Sequence, residues 1–247
     1  MTWLEELKRI YAICKKDIRI YYSKGPVVIF GLLIPFFLYL AFYIGREIQQ
    51  SFLIQGMLGM SLFFTSTSVI PVIIPWESRM KTLERLISAP VSVSTILLGD
   101  ILASFLFGVA ISAIPLVIGV LTGVKVVQPL ALLLGVLIAA FCFSSMAAIL
   151  SVIPTDVPAN VMMLSSLIKF PLIFISGVFT PLEAKPFWGR ALFLVSPLTY
   201  FMDVAKQSFE GKITAFLYLD LSALLLLALI FLIIAIKMHE KTMPKRL

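Results

Sequence analysis

A chain of 247 residues, 60% of them hydrophobic and 13% charged, with a mean hydropathy of +1.06, carries more apolar surface than one water-soluble core can hide. That excludes a soluble globular enzyme or binding module and leaves an integral membrane protein, with apolar runs recurring at the roughly 20 residues a bilayer crossing needs. The net charge of +7 does not mark a nucleic-acid binder, because the basic residues are spread between apolar runs and not gathered on one soluble face.

The segment before the first apolar run mixes Glu5, Glu6, Lys8, Arg9, Lys15, Lys16, Asp17, Arg19 and Lys24. It is too long and too mixed for the basic start of a secretory signal, so it is expected to be retained. Trp3, Leu7, Ile10 or Tyr11, Cys14, Ile18 and Tyr21 recur at three and four, which predicts an amphipathic helix over residues 1–24 lying in the interface. Gly25-Pro26 then turns the chain into the membrane. A topology-setting anchor and a gating element both fit this segment.

Six spans are predicted, at Val27–Ile44, Phe52–Ile74, Ile96–Leu121, Pro129–Ile153, Val161–Phe179 and Phe216–Ile236. The even number places both termini on one side. If that side is the cytoplasm, inner segments hold Lys8, Arg9, Lys15, Lys16, Arg19, Lys24, Arg79, Lys81, Arg85, Lys237, Lys241, Lys245 and Arg246. Outer segments then hold only Arg46, Lys125, Lys185, Arg190, Lys206 and Lys212. The Lys/Arg excess marks the cytoplasmic face, so both termini and the loop between spans two and three are expected there. Pro35, Pro71, Pro115 and Pro171 fall inside spans, as hinges or as tolerated bends.

Between spans two and three, Trp76, Met80, Leu83 and Ile87 share one helical face, while Glu77, Arg79, Lys81, Glu84 and Arg85 occupy the others. Glu77 is in register to pair with Lys81, and Lys81 with Glu84, on a short amphipathic helix closed by Pro90. Such a helix either floats as an interfacial anchor or docks into a cytoplasmic partner.

Lys169 sits near the midplane of span five, where an ionisable group faces a cavity, a partner or a pathway, and is the candidate pathway residue. Asp100 and Asp220 lie nearer span ends, and the lone His239 offers no metal or catalytic constellation. Cys14 and Cys142 are expected in different environments, with no disulfide. Gly56, Gly59 and the run Ser144 to Ala148 permit close helix approach, read as internal packing. Residues 180–211 are too apolar for a free loop and too broken by Pro181, Pro186 and Pro197 for a span, which predicts a re-entrant helical hairpin. The only Gly-Lys, Gly211-Lys212, lacks the phosphate-cradling loop, so no nucleotide site is expected on this chain.

Two stretches resemble the membrane subunits of type-2 ABC exporters. The first holds Glu77, Thr82-Leu83-Glu84, Leu86, Pro90-Val91 and Gly99-Asp100. The second holds Ser176-Gly177, Pro181-Leu182, Pro186, Trp188, Ser196-Pro197-Leu198-Thr199-Tyr200, Asp203 and Lys206, where the family often has Arg at the last position. The resemblance implies an all-α permease domain over residues 1–247, with six transmembrane helices and a coupling helix at Trp76–Ser88 seated in a cytoplasmic ABC ATPase. On it, Glu77, Arg79, Lys81, Thr82, Glu84 and Arg85 contact or flank the ATPase, and Pro181, Pro186, Trp188, Pro197, Tyr200, Asp203 and Lys206 form an outer gate.

It further implies two permease copies, as a homodimer, and two ATPase subunits, with ATP and Mg bound on the ATPase and no cofactor on this chain. The expected setting is the plasma membrane, with lipid as the other neighbour. A hydrophobic or amphipathic drug or lipid is the expected cargo. A polysaccharide or lipid-linked glycan is the alternative, and an ion-coupled secondary transporter is disfavoured because the spans lack paired central acids.

Overall fold

The computed structural model describes residues 3–22, 29, 33, 36–37, 40–41, 44, 49–153, 155, 157–179, 194–211 and 214–243. The predicted span Val27–Ile44 lies largely outside this set, as do Pro181, Pro186 and Trp188. Among the described residues there is no strand. The helices are α1 (Trp3–Asp17), followed by a π-helical turn at Ile18–Tyr22, α2 (Gln50–Ser68), α3 (Ile70–Arg79), α4 (Leu83–Ser88), α5 (Val93–Leu121), α6 (Pro129–Leu150), α7 (Pro158–Ile175), α8 (Pro197–Glu210) and α9 (Ala215–Thr242).

Among the described residues, five rods are long and apolar enough to cross a membrane: α2 with α3, then α5, α6, α7 and α9. The first of these is the centre of the bundle, its most apolar stretch 100% buried against 17% for α9. Its neighbours are α5 and α6 along α2, and α7 along α3. The Phe63 ring of α2 meets Phe143 of α6 edge-on at 5.1 Å, and Phe143 meets Phe201 of α8 at 6.5 Å. Each such pair contributes about 0.5–1.5 kcal/mol, a gain that persists in lipid, where apolar burial between rods has little solvent drive.

The predicted re-entrant hairpin over 180–211 appears among the described residues as one helix, α8. Pro197 starts it and Gly211, at φ +73°, ends it in the left-handed cap that a Cβ would strain. Leu198, Phe201, Met202, Val204 and Ala205 are buried, packed on α2, α6 and α9. Gly59 lets the Met202 thioether come within 2.5 Å of where a Cβ would stand. The small residue therefore serves packing within the chain.

The predicted apolar stripe of α1 and the turn after it is only partly docked on the bundle, through Cys14 and Tyr21. Ile13, Cys14 and Asp17 are buried against α5, while Trp3, Leu7 and Tyr11 are 82%, 52% and 63% exposed. The close approach is set by Gly99, where a Cβ would lie 2.6 Å from the Ile13 side chain and 3.2 Å from the Ile10 carbonyl. The apolar positions are thus divided between two faces, one docked and one open.

Candidate functional site: a charged junction and a broken span

The predicted continuous helix at Trp76–Ser88 is two helices. The α3 helix ends in a Schellman motif, with Thr82 N–H donating to the Glu77 carbonyl at 2.9 Å and Lys81 N–H to that of Ser78 at 3.0 Å. Lys81 takes the left-handed position at φ +54°, usually a glycine's place. Past this turn α4 starts afresh at Leu83, whose side chain is buried with Ile13, Ile74 and Ile96. The predicted pairing of Glu77 with Lys81 therefore does not form, because no helical turn connects them.

Glu77 instead turns inward, 3% exposed, and pairs with Lys16 of α1. The Tyr21 hydroxyl donates to the same carboxylate at 3.3 Å, and the Tyr21 ring stacks on Trp76 at 5.6 Å and 7°. Lys16 Nζ also lies 3.0 Å from Asp17 Oδ1, and Asp100 of α5 faces Asp17 across the helix contact. Arg9 donates to the Pro90 carbonyl, tying α1 to the chain after α4. The N-terminal helix, the foot of the central rod and the start of α5 are thereby joined by charge.

Electrostatics at this junction favour the ammonium. Burial works against the charge on Lys16, but Asp100, Asp17 and Glu77 outweigh it and hold its pKa above the ordinary lysine value. Burial, then the Glu77 charge, pushes the Tyr21 phenol up, so it stays a donor. The Cys14 thiol is likewise raised by burial and by Asp17 and Asp100, which leaves it unreactive. A cavity of about 530 Å³ opens beside the cluster, lined by Lys16, Ile20, Tyr21, Trp76, Glu77, Arg79, Met80 and Thr82.

Of the predicted ATPase-facing residues, Arg79, Lys81, Thr82, Glu84 and Arg85 are exposed at or beyond the turn, and Glu77 is not. Among the predicted gate residues, Pro197 is buried in the first turn of α8, and Tyr200 donates to the Leu194 carbonyl at 3.0 Å. Asp203 and Lys206 are half-buried on the same helix. His239 is buried with Nδ1 2.8 Å from the Ala235 carbonyl and Nε2 2.9 Å from Ser151 Oγ, pinning the end of α9 to the end of α6. Asp220 accepts from Gln207 Nε2 at 3.4 Å, between α8 and α9.

The second polar region was not foreseen. Thr65, Ser66, Thr67 and Ser68 cross the middle of the central rod, just before Pro71, and all are buried. Pro71 has no N–H for the Thr67 carbonyl four residues back. Lys169 of α7 donates to that carbonyl at 2.7 Å, and Ser104 of α5 donates to the Ser66 carbonyl at 2.8 Å. The break is thus sealed from two neighbouring rods. Four consecutive hydroxyl residues ahead of a proline were its sequence signal.

The decisive comparison is with protein families: the model of the ABC-2 type transporter family matches residues 9–209. The chain belongs to this family. It is the permease, the multi-pass membrane subunit of a transporter whose family works with an ABC ATPase. No significantly similar curated protein is found. The match takes in both the charged junction of the permease and its broken rod, and stops just inside the end of α8.

Proposed function

We propose that the permease is the membrane half of an ATP-driven exporter in the plasma membrane, with both termini and the α3–α4 turn in the cytoplasm. Two copies enclose the cargo path and each seats one ATPase subunit, which carries ATP and Mg. The observation that carries this reading is the turn itself, where Arg79, Lys81, Thr82, Glu84 and Arg85 stand exposed at the foot of a rod whose most apolar stretch is fully enclosed. A charged, water-compatible knob at the end of a buried rod suits the transfer of motion from a soluble motor to the membrane core.

Closure of the motor around ATP would move the knob, and the Lys16–Glu77 junction would carry the motion to α1 and α5. The cargo is a hydrophobic or amphipathic molecule. In support, α7 leaves Met163, Leu167 and Phe174 at 73%, 68% and 50% exposure, an apolar wall available to a path between copies.

The test is Glu84→Arg with Arg85→Glu in the permease co-purified with its ATPase and reconstituted in vesicles. ATP-driven transport is expected to fall at least tenfold while membrane insertion is unchanged. Undiminished transport with intact complex assembly would overturn the coupling role.

A further inference from the structure

The helix α7 is only lightly packed, and its buried stripe runs Pro158, Val161, Ser165, Lys169 and Ile173. A stripe that served packing alone would be apolar throughout, yet its centre is a serine and a lysine, which cost several kcal/mol away from water unless satisfied. Lys169 is 6% exposed, and its one described acceptor is the Thr67 carbonyl. No carboxylate among the described residues forms an ion pair with it. A neutral carbonyl satisfies one of three N–H donors and none of the charge.

Beside the ammonium lies a small cavity of about 20 Å³, lined by Phe64, Ser68 and Pro71 of the central rod and by Met162, Ser165, Ser166 and Lys169 of α7. It has room for one water. Ser165 lines it, buried and with no hydrogen-bond partner among the described residues, while Ser68 and Ser166 satisfy themselves on the Phe64 and Met162 carbonyls. An orphaned hydroxyl and an uncompensated cation one helical turn apart, around the same opening, form the complement of an oxyanion.

We infer that Lys169 and Ser165 form a subsite for the anionic group of an amphipathic cargo, a phosphate or carboxylate whose apolar part lies on the exposed face of α7. The cavity is too small to admit that group while Lys169 is bound to Thr67. Binding therefore requires the ammonium to leave the carbonyl, and that release unseals the Pro71 break in the central rod. Recognition of cargo and loosening of the rod are then one event.

This inference rests on the exporter reading, but its experiment needs neither ATPase nor transport. The full-length permease, in nanodiscs of phosphatidylcholine, is titrated with a fluorescent short-chain phosphatidic acid and with its phosphatidylcholine counterpart. The parent chain is expected to bind phosphatidic acid the more tightly. Lys169→Met should weaken that binding about ten- to hundredfold, the worth of one charge-assisted hydrogen bond, and leave phosphatidylcholine unaffected.

Pro71→Ala supplies a helical N–H to the Thr67 carbonyl and frees Lys169, so it is expected to tighten phosphatidic acid binding. It also keeps the idea testable if Lys169→Met fails to fold. Equal binding of the two lipids by the parent, or unchanged phosphatidic acid binding in both variants, would overturn the subsite. Competition by inorganic phosphate would overturn its assignment to an amphiphile. Failure here with intact ATPase coupling would leave the exporter reading standing.

Discussion

Replacing Lys16 with methionine isolates what the charged junction contributes. Its side chain is 27% exposed, Glu77 is 4% and Asp17 is 0%, so the carboxylates are the enclosed members of the cluster. Removing the ammonium leaves Asp17, Glu77 and Asp100 facing one another with no compensating charge from Lys16. Deleting one partner of a buried pair costs about 3–5 kcal/mol, and the partial exposure of Lys16 puts the loss near the lower bound, about 3 kcal/mol.

At roughly 2–4 °C per kcal/mol for a chain of this size, the apparent melting temperature should fall by about 6–12 °C. Glu77→Gln, in contrast, keeps an acceptor for Tyr21 and removes one of three carboxylates, so it should cost about 1 kcal/mol. Because the pKa of Lys16 is raised, the ammonium itself is retained below about pH 10.4, and on the alkaline side its contribution is lost only as pH climbs through the folded-state value. As far as the lysine is concerned, the difference between the variants should hold from pH 6 to 9. The assay is loss of the monodisperse peak of detergent-purified protein after heating. Adding Asp100→Asn to Lys16→Met should recover part of the loss. A melting point for Lys16→Met equal to or above that of Glu77→Gln would refute the charge argument.

Two further substitutions probe contacts away from that cluster. Gly99→Leu would drive a side chain into Ile13 and the Ile10 carbonyl, so α1 should lift from α5; in a Cys142→Ser background the buried Cys14 is expected to become reactive to maleimide, and continued protection would contradict the close packing. Ser151→Ala removes the hydroxyl 2.9 Å from His239 Nε2, a cost of about 1 kcal/mol. Its readout is a melting point roughly 2–4 °C lower, and an unchanged value would mean that α9 is not held there.

How much of this could be read from the residues differs by element. The spans from α2 to α9 were legible because runs of Leu, Ile, Val and Phe dominate them, and the ends moved by at most six residues, at the end of α9. Lys169 stood out for the same reason, a lone charge among such runs, but its acceptor lay 102 residues away. The turn after Arg79 was missed because its left-handed position holds Lys81 instead of glycine, so the period seemed to continue. The partner of Glu77 was misassigned in consequence: i,i+4 spacing predicts a pair only on an unbroken helix. Asp17 was invisible as a core residue, since its burial comes from the packing of α1 against α5, a contact between distant elements that helical spacing does not register.

The enclosure of α2 and α3 by the other rods separates two mechanical worlds. Lipid presses on the outer helices, and α9, at 28 residues, is longer than a bilayer's hydrocarbon thickness demands and must lean or protrude. The central rod feels none of that directly. Changes in bilayer thickness should therefore alter the slant of the periphery long before they disturb the proline break at the axis, leaving the moving part insulated from the lipid composition around it.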